Sequence, residues 1–215
     1  MMTGFVLAGG QSSRMGYDKA LLPIGRHRLI EIAIQRLQQH VEQLFVIGNA
    51  RNTEKLHTFL REDRLLVDGV LTDLQPDYGP LMGIYTGLMA SETSLNLFLP
   101  CDMPWVDGRL ITQLVNGYRE GTETVASLHP LNGRQPFPLL CHTRACRTIG
   151  SLLNAGGRSL HALLGQPKTC FMNVEERELW RSFTNVNTIE DYARLSDDLP
   201  EFAKLQSARV KRVNP

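Results

Sequence analysis

Apolar residues along this chain alternate between two patterns. Short, nearly continuous runs, Phe5-Val-Leu7, Leu44-Phe-Val-Ile47, Leu95-Asn-Leu-Phe-Leu99 and Val125-Ala-Ser-Leu128, read as strands, the Leu95 run as one buried at the centre of a parallel sheet. Between them the apolar positions fall three and four apart. Ile30, Ala33, Ile34, Leu37 and Val41 predict an amphipathic helix over Leu29–His40, and Thr53–Leu60 predicts a shorter one. A third, edge-like strand falls at Leu65–Val67 or at Val70–Leu71. From Leu81, a helix turns Ile84, Leu88 and Met89 to the core, with Gly83 and Gly87 on one face. Arg109–Val115 is helical behind an Asp107 cap, Leu139–Cys141 is a returning strand, and Ile149–Leu153 is helical. Strand and helix alternation of this kind predicts an α/β fold: three αβα layers around a mostly parallel, Rossmann-like central sheet.

Composition sharpens the picture only slightly. The 215 residues, 42% hydrophobic and 21% charged, suit one substantial core. A net charge of +1 makes no case for a nucleic-acid or membrane surface, so any anion site is local. Met1-Met2-Thr3-Gly4 leads into the first strand with no secretory leader, and no apolar run approaches the ~20 residues of a membrane span. Cys101, Cys141, Cys146 and Cys170 lack metal or redox spacing and read as scattered thiols in a cytoplasmic protein.

The chemistry concentrates where the first strand breaks. Leu7-Ala8-Gly9-Gly10 places two adjacent glycines after Phe5–Leu7, and Arg14, Gly16 and Lys19 follow within thirteen residues. Main-chain N–H groups of such a turn can hold phosphate oxygens, with two cations folding back to the same anion. Neither G-x-x-x-x-G-K-[ST] nor G-x-G-x-x-G is present. Asn49, after the second strand, lies where an open α/β sheet binds ligand, either contacting a base or ribose or serving as a turn residue. Asp102, at the end of the Leu95–Leu99 run between Pro100 and Pro104, is placed for a hard cation such as Mg²⁺, with substrate phosphates completing the shell.

The opening stretch, through Asp18-Lys19-Ala20-Leu21-Leu22, resembles the L-A-G-G-x-S-x-R-M-G-x-D-K-A-L-L motif of the molybdenum cofactor guanylyltransferases, members of the wider nucleotidyltransferase group. Further elements follow in the same order. Asp73 to Leu88, with Gly79-Pro80-Leu81-Met82-Gly83, resembles D…G-P-L-x-G-I-x-x-G-L, whose aspartate contacts the nucleotide; Asp73 or Asp77 is the counterpart. Pro100-Cys101-Asp102-Met103-Pro104 resembles P-C-D-x-P, whose aspartate binds the metal. Gly133-Arg134-Gln135-Pro136 resembles G-R-x-Q-P, although Phe137-Pro138-Leu139 departs from the alanine usual nearby. Phe183-Thr-Asn185-Val-Asn187-Thr188 resembles F-x-N-V-N-T-P, with Ile189 in place of proline.

The resemblance covers roughly residues 5–195 and implies GMP transfer from GTP to the phosphate of molybdopterin, with release of pyrophosphate. It implies catalysis by Arg14, Lys19 and Asp102, and Mg²⁺ on Asp102. Nucleotide contacts fall to Leu7, Ala8, Gly9, Gly10, Asn49, Asp73 and Gly79. Acceptor contacts fall to Arg134 and Gln135, which could equally tie down a hairpin, to Arg158, which could be a plain surface-loop residue, and to Asn185 and Asn187, one of which could be a helix cap. Other cofactor-biosynthesis proteins and recipient apoenzymes are the implied partners. One domain over 1–195, its nucleotide half about 1–110 and acceptor half about 111–195, would then carry a tail over 196–215. A cytidylyltransferase using the same acceptor, another guanylyltransferase, and a non-catalytic nucleotide-binding subunit are the alternatives. A dinucleotide-dependent dehydrogenase fits poorly, since both its glycine spacing and the acidic ribose contact ~20 residues later are lacking.

Overall fold

A computed structural model describes residues 1–9, 18–75 and 78–197. In chain order, β1 (Met2–Leu7) is followed by a 3₁₀ turn at Lys19–Leu21 and a two-residue ladder, β2 (Pro23–Ile24) with β3 (His27–Arg28). Next come α1 (Leu29–Leu37), β4 (Gln43–Gly48), α2 (Thr53–Glu62), β5 (Gly69–Thr72), α3 (Pro80–Ala90) and β6 (Leu95–Pro100). The remainder is α4 (Gly108–Gly117), β7 (Thr124–His129), β8 (Gly133–His142), α5 (Ala145–Asn154), α6 (Leu160–Leu164), β9 (Thr169–Asn173), a 3₁₀ segment at Arg177–Phe183, and α7 (Ile189–Asp197).

Seven strands form one sheet in the order β5-β4-β1-β6-β8-β7-β9. β5, β4, β1 and β6 run parallel, β8 runs antiparallel to β6 and β7, and β9 is parallel to β7. The continuous apolar runs are the reason β1 and β6 sit in the middle: Phe5, Val6, Leu97, Phe98 and Leu99 are all fully buried. Successive side chains on β1 serve opposite faces. Phe5 and Leu7 meet α3, where a Cβ on Gly87 would lie 2.7 Å from Phe98 and 3.1 Å from Phe5, and one on Gly83 3.1 Å from Leu7. Gly4 turns instead toward Val41, just beyond α1. Helices thus cover both faces of a mostly parallel sheet, the expected α/β architecture. Gly83 and Gly87 are needed for close packing of α3 on the sheet.

One local alternative is decided and two expectations change. The third strand is β5, which includes Val70–Leu71 and leaves Leu65–Val67 outside. Met89 is exposed rather than facing the core, because it lies in the last turn of α3 past the point where the helix meets the sheet. β8 begins at Gly133, well before Leu139, so it continues through Pro136 and Pro138. Among the described residues, no helix is long and apolar enough to cross a membrane.

Candidate active site

The parallel strands deliver their carboxyl ends to one edge of the sheet, and the turn after β1 is stitched to both neighbours there. The Leu7 carbonyl accepts from Cys101 N–H (3.0 Å), just past β6, and Ala8 N–H donates to the Ile47 carbonyl on β4 (2.8 Å). Asn52 Nδ2 donates to the Ala8 carbonyl and Asn49 Nδ2 to the Gly9 carbonyl, both at 2.8 Å. The Asn52 amide oxygen accepts from Asn49 N–H, and the Asn49 amide oxygen from Arg51 N–H. The Asn49 amide is therefore engaged in holding the turn. Asn52, which the sequence reading passed over, is its buried partner; an asparagine just before α2, three residues after another, was the available signal. An Asn52→Ala variant strands the Ala8 carbonyl and the Asn49 N–H, and should lose about 2–3 kcal/mol of unfolding free energy in a urea titration. A loss below about 0.5 kcal/mol would show that the two asparagines do not brace the turn.

Asp73 follows β5, its N–H donating to the Gly48 carbonyl (2.9 Å). Its carboxylate fits between two glycines: a Cβ on Gly9 would lie 3.2 Å from Oδ2, and one on Gly83 3.4 Å from Oδ1. Oδ1 is buried without a hydrogen-bond partner, and burial pushes the Asp73 carboxyl up to about 6. The raised value means the folded protein favours the protonated acid. Folding stability from this group is thus greatest below the unfolded carboxyl's range near 4, falls as pH rises through about 6, and is flat above. Asp73→Asn should therefore raise the Tm at pH 8 but not at pH 4; an equal shift at both would contradict the buried, unpaired carboxylate.

The second group of the site joins three distant parts of the chain. Asp18 caps the 3₁₀ turn by accepting from Ala20 N–H and so orients Lys19 inward. Lys19 Nζ donates to Asp102 Oδ2 and to Asn187 Oδ1, each at 2.8 Å. Asp102 lies two residues past the end of β6. Its carbonyl accepts from Val186 N–H (2.9 Å), and Val186 is fully buried in a small apolar cluster with Ile24, Leu29 and Ile32. Thr188 and Asp191 exchange hydrogen bonds at the start of α7, so Thr188 is its cap, leaving the Asn187 side chain to reach Lys19. Asp102 Oδ1 is buried and accepts nothing, a hard anionic oxygen suited to a divalent cation. Among the described residues no cluster of three or more His, Cys, Asp or Glu could hold a metal unaided. A cation here would need further oxygen ligands from outside these residues, such as phosphate or water.

The remaining expected residues lie around this edge. Gly79, with φ of +74°, turns the chain into α3, and Pro80 occupies the first helical position. The Arg158 guanidinium lies 4.4 Å from the centre of the Tyr78 ring, tying the loop before α6 to the start of α3. Arg134 is exposed, 4.9 Å from the Phe171 ring on β9, and Gln135 packs on its own hairpin. Asn185 is exposed beside Val186. Gly10, Arg14, Gly16 and Asp77 lie outside the described residues.

Comparison with known proteins identifies the family. Residues 4–170 match the family model described as MobA-like NTP transferase domain. The chain is 31% identical over 191 residues to the molybdenum cofactor guanylyltransferase of Vibrio campbellii, covering 88% of this chain and 92% of that one. It is 33% identical over 203 residues to a protein of Flavobacterium johnsoniae named probable molybdenum cofactor guanylyltransferase, covering 92% and 98%. Among solved structures, the molybdopterin-guanine dinucleotide biosynthesis protein A of Archaeoglobus fulgidus superposes with a TM-score of 0.75 at 20% identity, over 94% of this chain and all of that one, a likeness of fold. With its match to the family model spanning most of its length, this chain belongs to the MobA-like NTP transferases.

Proposed function

We propose that this protein is a nucleotidyltransferase that moves the guanylyl group of GTP onto the terminal phosphate of molybdopterin, releasing pyrophosphate. The observation that carries the reading is the convergence of Lys19 on Asp102 beside the turn that follows β1. The relatives' names supply the substrates. The guanine base lies along Leu7–Gly9, where Asp73 accepts from its N1–H and exocyclic amine. Asn49 and Asn52 hold that turn open, and Gly79 lets the start of α3 approach the nucleotide. Gly10 and Arg14 are assigned to the triphosphate by their place in the sequence motif. Lys19 neutralises the α- and β-phosphates.

Asp102 would hold Mg²⁺, which when bound supplies charge neutralisation on the phosphate oxygens. Arg158, Arg134, Gln135, Asn185 and Asn187 receive the acceptor. An oxygen of the acceptor phosphate attacks the α-phosphorus, the bond to the bridging oxygen breaks, and that electron pair leaves with pyrophosphate. A phosphate monoester is already largely anionic at neutral pH, so no residue need remove a proton. Alignment and charge neutralisation supply the acceleration. A cytoplasmic location, where GTP is available and the four free cysteines stay reduced, fits the reading. Equilibrium binding of GTP and CTP in competition tests it. GTP should displace bound GTP at least tenfold more effectively than CTP does, and Asp73→Asn should narrow that ratio; equal displacement would redirect the reading to cytidylyl transfer.

A further inference from the structure

Lys19 makes the contact at Asp102 that a metal cation would make. Its ammonium sits on Asp102 Oδ2 while Asp102 Oδ1, buried, accepts no hydrogen bond. The neighbouring carboxylate is in the same condition: Asp18 uses Oδ1 to cap the 3₁₀ turn, and its Oδ2 is buried without a partner. Asp18 directly precedes Lys19 in the chain, so two carboxylates and one ammonium gather beside the end of β6. Each carboxylate keeps one oxygen unsatisfied, an expensive arrangement unless another ligand satisfies those oxygens during the working cycle.

We infer that Lys19 is a tethered counter-ion that holds the place of the divalent cation: Asp102, with Asp18 as a second carboxylate, takes up the metal only when the nucleotide's phosphates draw the ammonium away. Mg²⁺ commonly takes one or two carboxylates and completes its shell with phosphate and water. A single positive charge 2.8 Å from Asp102 repels a second cation at the same oxygens. The triphosphate reverses this by offering Lys19 a new anion and the metal new ligands at once. Lys19 then has two successive partners, Asp102 and Asn187 before nucleotide binds and phosphate afterwards. Metal entry becomes conditional on nucleotide, which keeps the carboxylates neutralised between turnovers. The inference rests on the nucleotidyltransferase reading, but it concerns Lys19, Asp18 and Asp102 in the absence of substrate.

Binding of Mn²⁺ to nucleotide-free protein, read by its electron paramagnetic resonance signal, tests it. Lys19→Met should bind Mn²⁺ at least tenfold more tightly than the parent protein. Lys19→Met/Asp102→Asn should lose that gain entirely, and Lys19→Met/Asp18→Asn most of it. Far-ultraviolet circular dichroism and Tm confirm that each variant is folded. Should Lys19→Met unfold, Lys19→Gln, which keeps a donor to Asn187, takes its place with the same expected gain. Mn²⁺ affinity unchanged by removing the ammonium would overturn the inference, and a gain insensitive to Asp18 would remove Asp18 from it. GTP binding to the parent protein, measured in parallel, separates the cases. GTP binding without the Mn²⁺ gain rejects only the exchange, whereas no GTP binding rejects the nucleotide reading itself.

Discussion

An Asp102→Asn variant is expected to lose about 10³-fold in kcat/KM for guanylyl transfer, roughly 4 kcal/mol of transition-state stabilisation, while remaining folded. Asparagine keeps the size and one carbonyl oxygen, so Lys19 retains a hydrogen-bond acceptor there and still reaches Asn187. What disappears is the negative charge at the end of β6 and, with it, the ability of the unsatisfied Oδ1 to hold a cation against the phosphates. The ion pair is partly solvent-exposed on both sides, so its contribution to folding is small and the Tm should move little. Steady-state kinetics at saturating Mg²⁺, beside a thermal melt, checks the claim. An activity loss of less than tenfold in a folded variant would mean that Asp102 does not serve the transfer.

Phe98→Ala is expected to produce the largest loss of stability, about 3–5 kcal/mol. The ring is fully buried in β6, its centroid 5.0 Å from that of Phe5, which in turn lies 5.8 Å from Phe45. The three rings cross β6, β1 and β4, the strands that carry Asp102, the glycine turn and Asn49. On the facing side Gly87 brings α3 close enough that no Cβ separates it from Phe98. Removing the ring leaves a cavity between the central strand and a helix already at close approach, with little room to collapse. Since domains of this size are typically stable by only about 5–15 kcal/mol, that loss is a large share of the total. Urea unfolding should show a lower midpoint with an unchanged slope, and a change below about 1 kcal/mol would contradict the packing described.

These two positions also show what the sequence makes legible. Phe98 lies in a short apolar run uninterrupted except for Asn96, a pattern and length that suit a strand covered on both faces, so its central place is legible in the sequence. Asp102 follows because a carboxylate just after such a strand must emerge at the ligand-binding edge. The edge of the sheet is harder to read. β9, Thr169–Asn173, is only partly buried and mixes polar, apolar and aromatic residues without a clear period, so nothing local distinguishes it from a loop. β8 hides behind two prolines that would ordinarily argue against a sheet strand. β2 and β3 are two residues each, too short for any period to register.

Side-chain pairings at the site are less legible still. Lys19 and Asn187 are 168 positions apart in the chain, and only the fold brings their atoms to 2.8 Å. The Asn49 amide could be placed near a nucleotide from its position after β4. That it would be engaged by the Gly9 carbonyl and Arg51 N–H depends on the path of a turn that no spacing rule specifies. Asp18 has no assigned role in the motif, yet it caps the 3₁₀ turn from which Lys19 reaches Asp102.

The central claim is that the turn after β1, Lys19 and Asp102 act on one triphosphate to transfer its guanylyl group. GTP radiolabelled in the α-phosphate, incubated with purified protein, Mg²⁺ and molybdopterin, tests that directly. The account predicts label in a molybdopterin-guanine dinucleotide, with one pyrophosphate released for each product formed and neither product without Mg²⁺. Label that stays in GTP under those conditions, or pyrophosphate released with no labelled dinucleotide, would contradict it.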